Sequence, residues 1–317
     1  MNTGWRMDPG VRLLALDVGA TKIHALAEGG NGGQHLFDRV YPNAGWSQMT
    51  GLKRAERLRG LVESVSQKIG PLTAIVAGVH GIDADPLARI FAEVLKESAP
   101  VLHVTNDSGL VVPAAGLDTG IGVIAGTGSS VTLHRCDGRV RLLGGWGWVL
   151  GDDGGASGLV KALARHCLKI QDAGGADEAT DLLVCRFGLE DAREFGRYML
   201  ATDARDWSNA ASAVFDAARA GSAAAAAAIE DNIAGLVKTV AMAAMGDPPV
   251  SDIVCAGGVF ANQAGYFRDF GARVRDRLGE RYRVQLLRAA PVQGGLAIAR
   301  RLVADLSVPI KEQGGRT

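Results

Sequence analysis

Three glycine turns contain the residue types that could bind a phosphate group. They are residues 17–22 (DVGATK), 125–130 (AGTGSS) and 256–259 (AGGV). Glycine lets the main chain approach a ligand and point successive N–H groups at one anion, while Thr and Ser add hydroxyl donors. The alternative for each turn alone is an ordinary tight connection, because short glycine motifs are common. The three turns together favour phosphate binding.

Two carboxylates could take part in phosphoryl transfer. Asp17 begins the first turn, and a carboxylate is a suitable ligand for Mg²⁺ or for its water molecules. Asp107 follows a predicted strand and opens a predicted helix, where it could accept the proton of a hydroxyl group as the phosphoryl group transfers. The alternative for Asp107 is a helix N-cap, a role that either Asn106 or Asp107 could fill.

A segment rich in glycine and tryptophan could bind a sugar. Residues 144–154 read GGWGWVLGDDG and are called the Gly/Trp loop below. Indole rings can stack on the C–H faces of a sugar, and carboxylates accept hydrogen bonds from its hydroxyl groups. The alternatives are a packing role for the tryptophans and a cap by Asp153 for the helix that starts near residue 154.

The elements that must position these residues alternate between strands and helices. Short apolar runs predict strands on both sides of the first turn and of the second turn, each followed by a third strand. This β-meander with a glycine turn therefore occurs twice, which predicts a weak internal repeat of architecture. The third turn joins a strand to a helix. Together the pattern predicts an α/β protein with mixed sheets. The predicted strands are 11–16, 23–28, 36–41, 73–79, 101–104, 139–143 and 283–287, and the predicted helical regions are 47–69, 86–97, 154–246 and 292–303.

Composition excludes several functional classes. The chain has 317 residues, of which 47% are hydrophobic, and 34 basic residues balance 34 acidic ones. This balance predicts neither a nucleic acid nor an anionic membrane surface as a partner. The first residues lack the pattern of a signal peptide. The widely spaced Cys136, Cys167, Cys185 and Cys255 predict reduced, mostly buried thiols and a cytoplasmic location.

Two common nucleotide motifs are missing from the sequence. No Gly-Lys dipeptide occurs, so there is no P-loop of the form GxxxxGK[ST]. The turn after the first strand does not read GxGxxG, which argues against a Rossmann dinucleotide site.

The motifs resemble those of the actin/hexokinase/Hsp70-like ATPases. DVGATK, IAGTGSS and VCAGGVFAN look like the first phosphate, second phosphate and adenosine motifs of that superfamily. VTNDSGLVVPAAG and GGWGWVLGDDGGASGL resemble the N-acetylglucosamine kinase branch of the BadF/BadG/BcrA/BcrD ATPase group. The resemblance extends from about residue 11 to residue 300, and residues 144–158 are its most specific part.

The resemblance implies a fold and a domain organisation. The expected fold is α/β, with two actin-like (ribonuclease H-like) domains whose mixed β-sheets are flanked by helices, and with an ATP cleft between them. The expected domains are 11–116, onto which a closing helix at 298–317 is a candidate to pack, and 117–297, which contains a helical insertion.

The resemblance also implies cofactors and residue roles. ATP and Mg²⁺ are the expected cofactors, with Asp17 holding Mg²⁺ through water and Asp107 acting as the general base. The implied nucleotide-binding residues are Asp17, Gly19, Thr21, Lys22, Gly126, Thr127, Gly128, Ser129, Gly257 and Gly258. The implied sugar-binding residues are Asn43, Asp107, Thr127, Gly145, Trp146 and Asp152.

Two positions depart from the family pattern. His80 stands where the family usually has a small residue close to the sugar, and Asp153 stands where it usually has Glu. The first departure leaves open which sugar is bound.

The implied function is the ATP-dependent phosphorylation of the 6-hydroxyl of N-acetylglucosamine, giving N-acetylglucosamine 6-phosphate. The partner is then a small amino sugar, and a homodimer remains an open alternative. One rival is a kinase for glucosamine or another amino sugar. A second rival is an ATPase activator of a 2-hydroxyacyl-CoA dehydratase type enzyme, which would need paired cysteines for an iron–sulfur cluster. A sugar-sensing repressor would need a helix-turn-helix before the first strand, where the sequence offers no room.

Overall fold

The chain divides into two compact units. The computed structural model describes residues 10–30, 33–82, 85–245 and 250–307, without the side chains of residues 47, 85 and 205. Unit 1 comprises Met1–Leu117 with Arg288–Thr317, and unit 2 comprises Asp118–Leu287. The last ten residues of the predicted helix 298–317 lie outside the described residues.

Unit 1 is built on a mixed sheet of five strands in the order β3-β2-β1-β4-β5. β1, β2 and β3 form an antiparallel meander, whereas β4 and β5 run parallel to β1. The strands are β1 (Arg12–Val18), β2 (Lys22–Gly29), β3 (Gln34–Pro42), β4 (Ala74–Val79) and β5 (Val101–Thr105). The helices are α1 (Gly51–Ile69), α2 (Asp85–Leu95), α3 (Val111–Ala114) and α13 (Val292–Ser307), the last helix among the described residues, with 3-10 helices at Trp46–Gln48 and Asp107–Leu110.

Both faces of the unit 1 sheet are covered, and β1 carries apolar side chains on each face. Successive side chains of a strand point to opposite faces. Leu14 and Leu16 belong to the buried cluster that contains residues of α1 and α2. Leu13 and Ala15 belong to another cluster, which includes Val292 and other residues of α13. A strand buried on both faces reads as a continuous apolar run, as β1 does.

Helix α13 packs closely on unit 1 near its start. A Cβ atom at Gly294 would lie 2.0 Å from the carbonyl oxygen of Leu110, and one at Gly295 would lie 2.8 Å from the Cβ of Ala15. Farther along α13, the guanidinium of Arg300 donates two hydrogen bonds to the carboxylate of Glu28, which is fully buried. The helix therefore completes this unit both by packing and by a charge pair.

The predicted helix at 47–69 is interrupted in the structure. A 3-10 turn covers Trp46–Gln48, and α1 begins only at Gly51. Thr50 is the N-cap, since its side chain accepts a hydrogen bond from the N–H of Lys53. The boundary prediction was therefore wrong by four residues, because a cap in the extended conformation separates the two elements.

Unit 2 repeats this topology. Its sheet has the order β10-β9-β6-β7-β8, with β6, β7 and β8 antiparallel and with β9 and β10 parallel to β6. The strands are β6 (Gly120–Ala125), β7 (Ser129–His134), β8 (Val140–Gly144), β9 (Asp252–Ala256) and β10 (Arg283–Leu286). The helices are α4 (Gly147–Leu150), α5 (Ala156–Asp172), α6 (Glu178–Phe187), α7 (Phe195–Ala201), α8 (Ala204–Ser208), α9 (Ala211–Ala220), α10 (Ala223–Ala244), α11 (Gly258–Asn262) and α12 (Ala264–Leu278), with a 3-10 helix at Ala192–Glu194.

The predicted α/β class and the predicted repeat are both confirmed. Each unit has a meander on one side of its first strand and two parallel strands on the other. In the part of the chain that the structure describes, no helix combines the length and the apolar character needed to cross a membrane.

The four cysteines do not form disulfide bonds. Cys167 and Cys255 are buried, whereas Cys136 and Cys185 are exposed. The expectation of mostly buried thiols is therefore correct for only two of them. Burial raises the pKa of the Cys167 and Cys255 thiols, so both remain protonated at neutral pH.

Candidate functional site

The first turn connects β1 to β2 and directs its carbonyl groups at the rest of unit 1. The N–H of Gly19 donates to the carbonyl of Lys22 at 2.9 Å. The main-chain N–H of Asn43 donates to the carbonyl of Thr21 at 2.8 Å, and its side-chain amide donates to the carbonyl of Gly19 at 2.7 Å. Among the described residues, no acceptor is found for the N–H groups of Ala20 and Thr21. The turn therefore has donors to offer to an anion.

Asn43 is fully buried at the end of β3. Its amide nitrogen is used by the first turn, and its Oδ1 atom has no hydrogen-bond partner among the described residues. What the structure shows is thus a contact that fixes the turn, while sugar binding by Asn43 stays a prediction.

Asp17 and Asp107 lie at the same edge of the unit 1 sheet. Asp17 is paired with Gly78 on β4, and Gly78 is paired with Thr105 on β5, two residues before Asp107. Burial and the neighbouring Asp107 raise the pKa of Asp17 from 3.8 to about 6, against the opposing effects of Lys22 and His24. A nearby cation would stabilise the ionised form of such a carboxylate and lower its pKa.

Asn106, and not Asp107, caps the 3-10 helix that follows β5. The Oδ1 atom of Asn106 accepts hydrogen bonds from the N–H of Ser108 at 3.0 Å and from its hydroxyl at 2.5 Å. Asp107 is the first residue of the helix. Its Oδ1 atom lies 3.0 Å from the same Ser108 nitrogen, and its Oδ2 atom lies 3.6 Å from Nδ1 of His80. The side chain of Asp107 is 18% exposed, so a ligand could reach it.

The second turn connects β6 to β7 and is fixed by the start of α5. The N–H groups of Ala156 and Ser157 donate to the carbonyls of Gly126 and Thr127 at 2.9 and 2.8 Å. Within the described ranges, no acceptor is found for the N–H groups of Thr127 and Gly128. The first and second turns therefore both have carbonyl groups that accept hydrogen bonds from their own unit. Each turn keeps two successive N–H groups available.

Asp152 contacts the second turn directly. Its Oδ1 accepts from the N–H of Ser129 and its Oδ2 from the hydroxyl of Ser157, both at 3.2 Å. A Cβ atom at Gly128 would lie 2.7 Å from these carboxylate oxygens, so a larger residue there would require the Asp152 carboxylate to move. Asp152 has a φ of 65°, in the left-handed region that a non-glycine residue rarely adopts. Hydrogen bonding of Asp152 to a sugar stays a prediction.

The two tryptophans of the Gly/Trp loop have different environments. Trp146 is 71% exposed, and Gly145 beside it has a φ of 72°. Trp148 forms an edge-to-face pair with the fully buried Trp207, with ring centroids 5.4 Å apart. Trp148 therefore anchors the loop to the core, while Trp146 presents an indole at the surface.

Lys161 on α5 also holds the Gly/Trp loop. Its Nζ donates to the carbonyl of Trp148 at 2.5 Å and to that of Gly151 at 2.9 Å. Burial lowers the pKa of Lys161, against the opposing effect of nearby carboxylates.

Three residues outside the predicted motifs fix the far end of the loop. Asn232 on α10, which is 2% exposed, accepts from the N–H of Gly154 at 2.8 Å and donates to the carbonyl of Gly155 at 3.2 Å. The hydroxyl of Tyr266 on α12 donates to the carbonyl of Gly154 at 3.3 Å. Gly235 leaves room for Asp153, since its Cβ would lie 2.6 Å from that side chain. No sequence signal singled out Asn232, because α10 also contains the polar residues Glu230, Asp231, Lys238 and Thr239.

The alternative role of Asp153 as a helix cap is wrong. The N-cap of α5 is Gly155, and no side chain accepts a hydrogen bond there. The Asp153 side chain instead lies against Gly235 of α10.

The third turn packs on the end of β6, close to the second turn. Gly257 has a φ of 104°, and a Cβ atom there would lie 2.3 Å from the carbonyl oxygen of Ala125. Around Gly258 there is space, since the nearest atom to its Cβ would be Nδ2 of Asn262 at 3.7 Å. Unit 2 thus brings the second turn, the third turn and the Gly/Trp loop together, and unit 1 brings together the first turn, Asn43 and the two carboxylates.

Known proteins resemble the chain in sequence, through a family profile, and in structure. A sequence profile of the BadF/BadG/BcrA/BcrD ATPase family matches residues 16–296. A solved structure from Chromobacterium violaceum, provisionally described as an N-acetylglucosamine kinase, is 22% identical, with 91% of this chain and 99% of that chain covered and a TM-score of 0.69. A protein from Porphyromonas gingivalis with the same provisional description is 19% identical, with coverages of 92% and 99% and a TM-score of 0.66.

A third structure is more distant. The ROK hexokinase from Thermus thermophilus is 21% identical, with coverages of 93% and 100% and a TM-score of 0.56. At such low identities the three structures show the shared actin-like fold alone.

Proposed function

Because the chain belongs to the BadF/BadG/BcrA/BcrD ATPase family, we propose that it is an ATP-dependent sugar kinase that phosphorylates the 6-hydroxyl of N-acetylglucosamine. The observation that carries the proposal is in unit 1, where an accessible carboxylate, Asp107, lies at the same sheet edge as Asp17 and the first turn. A base, a metal-binding carboxylate and phosphate-binding N–H groups are the parts that phosphoryl transfer to an alcohol requires.

Asp107 is the general base in this proposal. A sugar hydroxyl is a weak nucleophile, and an aligned carboxylate can accept its proton as the bond to phosphorus forms. The N–H of Ser108 lies next to Oδ1 of Asp107, so the carboxylate is oriented by the main chain. Accessibility of the side chain allows a hydroxyl to reach it.

The first and second turns are the proposed phosphate-binding segments. Each keeps two successive N–H groups without an acceptor among the described residues, in Ala20 and Thr21 and in Thr127 and Gly128. The raised pKa of Asp17 fits a position that receives a cation. Mg²⁺ in such a site would neutralise negative charge that develops on the phosphate oxygens, and Asp17 would hold it through water.

The Gly/Trp loop is the proposed sugar-binding segment. Trp146 offers an exposed ring on which the C–H face of a sugar could stack, and Gly145 precedes it in a left-handed conformation. Asp152 lies in the same loop with a carboxylate that accepts two hydrogen bonds at 3.2 Å. Oδ2 of Asp152 could accept a hydrogen bond from a sugar hydroxyl in place of the one from the Ser157 hydroxyl.

A panel of sugars tests the proposal. The purified protein would be incubated with Mg²⁺, ATP labelled on the γ-phosphate, and either N-acetylglucosamine, glucosamine, N-acetylmannosamine or glucose. We expect the highest kcat/KM with N-acetylglucosamine and a product whose NMR spectrum places phosphorus on the 6-oxygen. A preference for glucosamine would keep the reaction and change the substrate.

Other outcomes would reject a sugar kinase. Hydrolysis of ATP without transfer to any sugar would contradict the proposal. A brown protein that contains iron would favour the alternative of a dehydratase activator.

A further inference from the structure

His80 has a main chain that is fixed from two sides. It follows β4, and its N–H donates to the carbonyl of Val18 on β1 at 2.8 Å. Its own carbonyl accepts from the indole N–H of Trp46 at 3.3 Å, and Trp46 is fully buried. The imidazole therefore extends from a rigid point at the sheet edge where Asp17 lies.

The imidazole faces the carboxylate oxygen that the main chain does not orient. Nδ1 of His80 lies 3.6 Å from Oδ2 of Asp107, while Oδ1 of Asp107 lies beside the N–H of Ser108. A distance of 3.6 Å is within ion-pair range and longer than a hydrogen bond. Pairs of this kind in ligand-free enzymes often shorten when the substrate binds.

The surroundings of the pair are mixed in charge. Asp107 is close enough to Asp17 to contribute to the raised pKa of Asp17. A Cβ atom at Gly81 would lie 3.2 Å from the guanidinium of Arg54, which also donates to the carbonyls of Trp46 and Met49. Lys22 and His24 of β2 also lie near Asp17, and each of them acts to lower its pKa.

We propose that His80 is a positioning residue, which holds Oδ2 of Asp107 through Nδ1–H so that the carboxylate plane is set for the incoming hydroxyl. The inference rests on the proposed function, because it assigns a partner to the proposed base. A proton on Nδ1 is present both in the charged imidazole and in one neutral tautomer, so no change of charge on His80 is required. Misplacement of a catalytic group by about 1 Å can cost about 10²-fold in rate.

Three variants of His80 separate positioning from a general structural role. His80→Ala removes the donor, His80→Asn keeps an amide N–H close to the place of Nδ1, and His80→Gln moves the amide farther out. We expect His80→Ala and His80→Gln to lower kcat by about 10- to 100-fold. The KM for ATP and the KM for the sugar should each stay within about threefold of wild type. His80→Asn should recover most of the lost kcat.

Two further measurements complete the test. His80→Ala in an Asp107→Asn background should cause no additional loss, because the two residues act through one interaction. His166→Ala is a matched control from unit 2, since Nε2 of His166 lies 2.9 Å from a carboxylate oxygen of Asp231. The control should retain wild-type activity, and thermal melting should show that all variants fold.

Two results would overturn the inference while the wild type remains an active kinase. One is wild-type kcat in folded His80→Ala, and the other is an equal loss in His80→Ala and His80→Asn. If the wild type transfers phosphate to no sugar, the proposed function itself is wrong and the inference fails with it.

Discussion

Asp107 helps to raise the pKa of Asp17 because parallel strands end at one edge of the unit 1 sheet. The pairing of β1 with β4 and of β4 with β5 brings both carboxylates to that edge. Their surroundings differ, since the pKa of Asp17 is raised whereas Asp107 is oriented by Ser108 and faces His80.

Asp107→Asn tests the role of the general base. The amide has the size of the carboxylate and cannot accept the hydroxyl proton, so we expect kcat to fall by about 10²–10⁴-fold. The KM for the sugar should change little, because an amide can still form hydrogen bonds. Steady-state kinetics would measure both. Asp172→Asn, at an exposed position of unit 2, is the control and should keep wild-type kcat. Turnover of Asp107→Asn at the wild-type rate would show that this residue is not the base.

Asp17→Asn tests the raised pKa through stability. The pKa of Asp17 is raised from 3.8 to about 6, so the folded protein binds a proton more tightly than the unfolded chain does. Stability from this group is present below about pH 3.8 and is lost as the pH rises through about 6. We expect Asp17→Asn without ligands to be more stable than wild type by about 1–3 kcal/mol at about pH 7.5, with most of the gain absent at about pH 4.

Urea unfolding at several pH values would measure this gain. Asp276→Asn, at an exposed position, is the control and should give no gain that depends on pH in this window. A gain in Asp17→Asn that is equal at all pH values would contradict the raised pKa.

At the scale of elements, the three glycine turns differ in how strictly they need glycine. A Cβ atom at Gly19 would lie 3.4 Å from the carbonyl oxygen of Lys22, which is ordinary contact. At Gly257 the same atom would lie 2.3 Å from the carbonyl oxygen of Ala125. Packing therefore does not require glycine at position 19 of the first turn, whereas the third turn needs glycine at position 257 to pack against β6.

Gly257→Ala should disrupt unit 2. The new methyl group would overlap the main chain of β6, and the φ of 104° would be strained. We expect a loss of at least about 2 kcal/mol in the free energy of unfolding. Gly221→Ala is the matched control, because Gly221 has a φ of 107° and has no atom within 4 Å of its Cβ position among the described residues. It should lose only about 1 kcal/mol. Equal losses in the two variants would show that the contact with Ala125 is unimportant.

Prediction from the sequence worked where the determinants are local. The strands that flank the first and second turns follow from apolar runs on either side of glycine, and the structure has them at Arg12–Val18 and Gly120–Ala125. The interruption before α1 was missed because a single threonine cap decides it. Local pattern therefore predicts the existence of elements better than their ends.

The support of the Gly/Trp loop could not be predicted because it comes from distant parts of the chain. Asn232 contacts Gly154 across 78 positions, and Tyr266 contacts it across 112. Nothing in the segment 144–154 reveals these partners. Asp153 shows the same limitation, since its space depends on a glycine in α10. Site residues were predicted from motifs, whereas the residues that hold them were not.

At the scale of the whole molecule, unit 1 is completed by helix α13, which lies far along the chain from the strands that it covers. Arg300 pairs with Glu28 across 272 positions, and Glu28 is fully buried. When a buried carboxylate loses its charged partner, the free-energy cost of removing it from water is no longer offset. The pair therefore links strand β2 to helix α13.

Arg300→Ala should destabilise unit 1. We expect a loss of about 3 kcal/mol, at the low end for a broken buried pair because the Arg300 side chain is 46% exposed. Arg219→Ala is the control, since the Arg219–Asp216 pair is exposed on both sides and should contribute less than about 0.5 kcal/mol. Chemical denaturation would compare the two. A loss in Arg300→Ala no larger than that of the control would show that Glu28 does not depend on its partner.

The position of α13 in the chain determines the order in which the units can be finished during translation. Val292, Leu296 and Ala299 cover the face of the first sheet that carries Leu13 and Ala15. A nascent chain cannot cover that face until those late residues have left the ribosome. The sheet that is synthesised first is thus the last to be covered on this face, because α13 follows all residues of unit 2 in the chain.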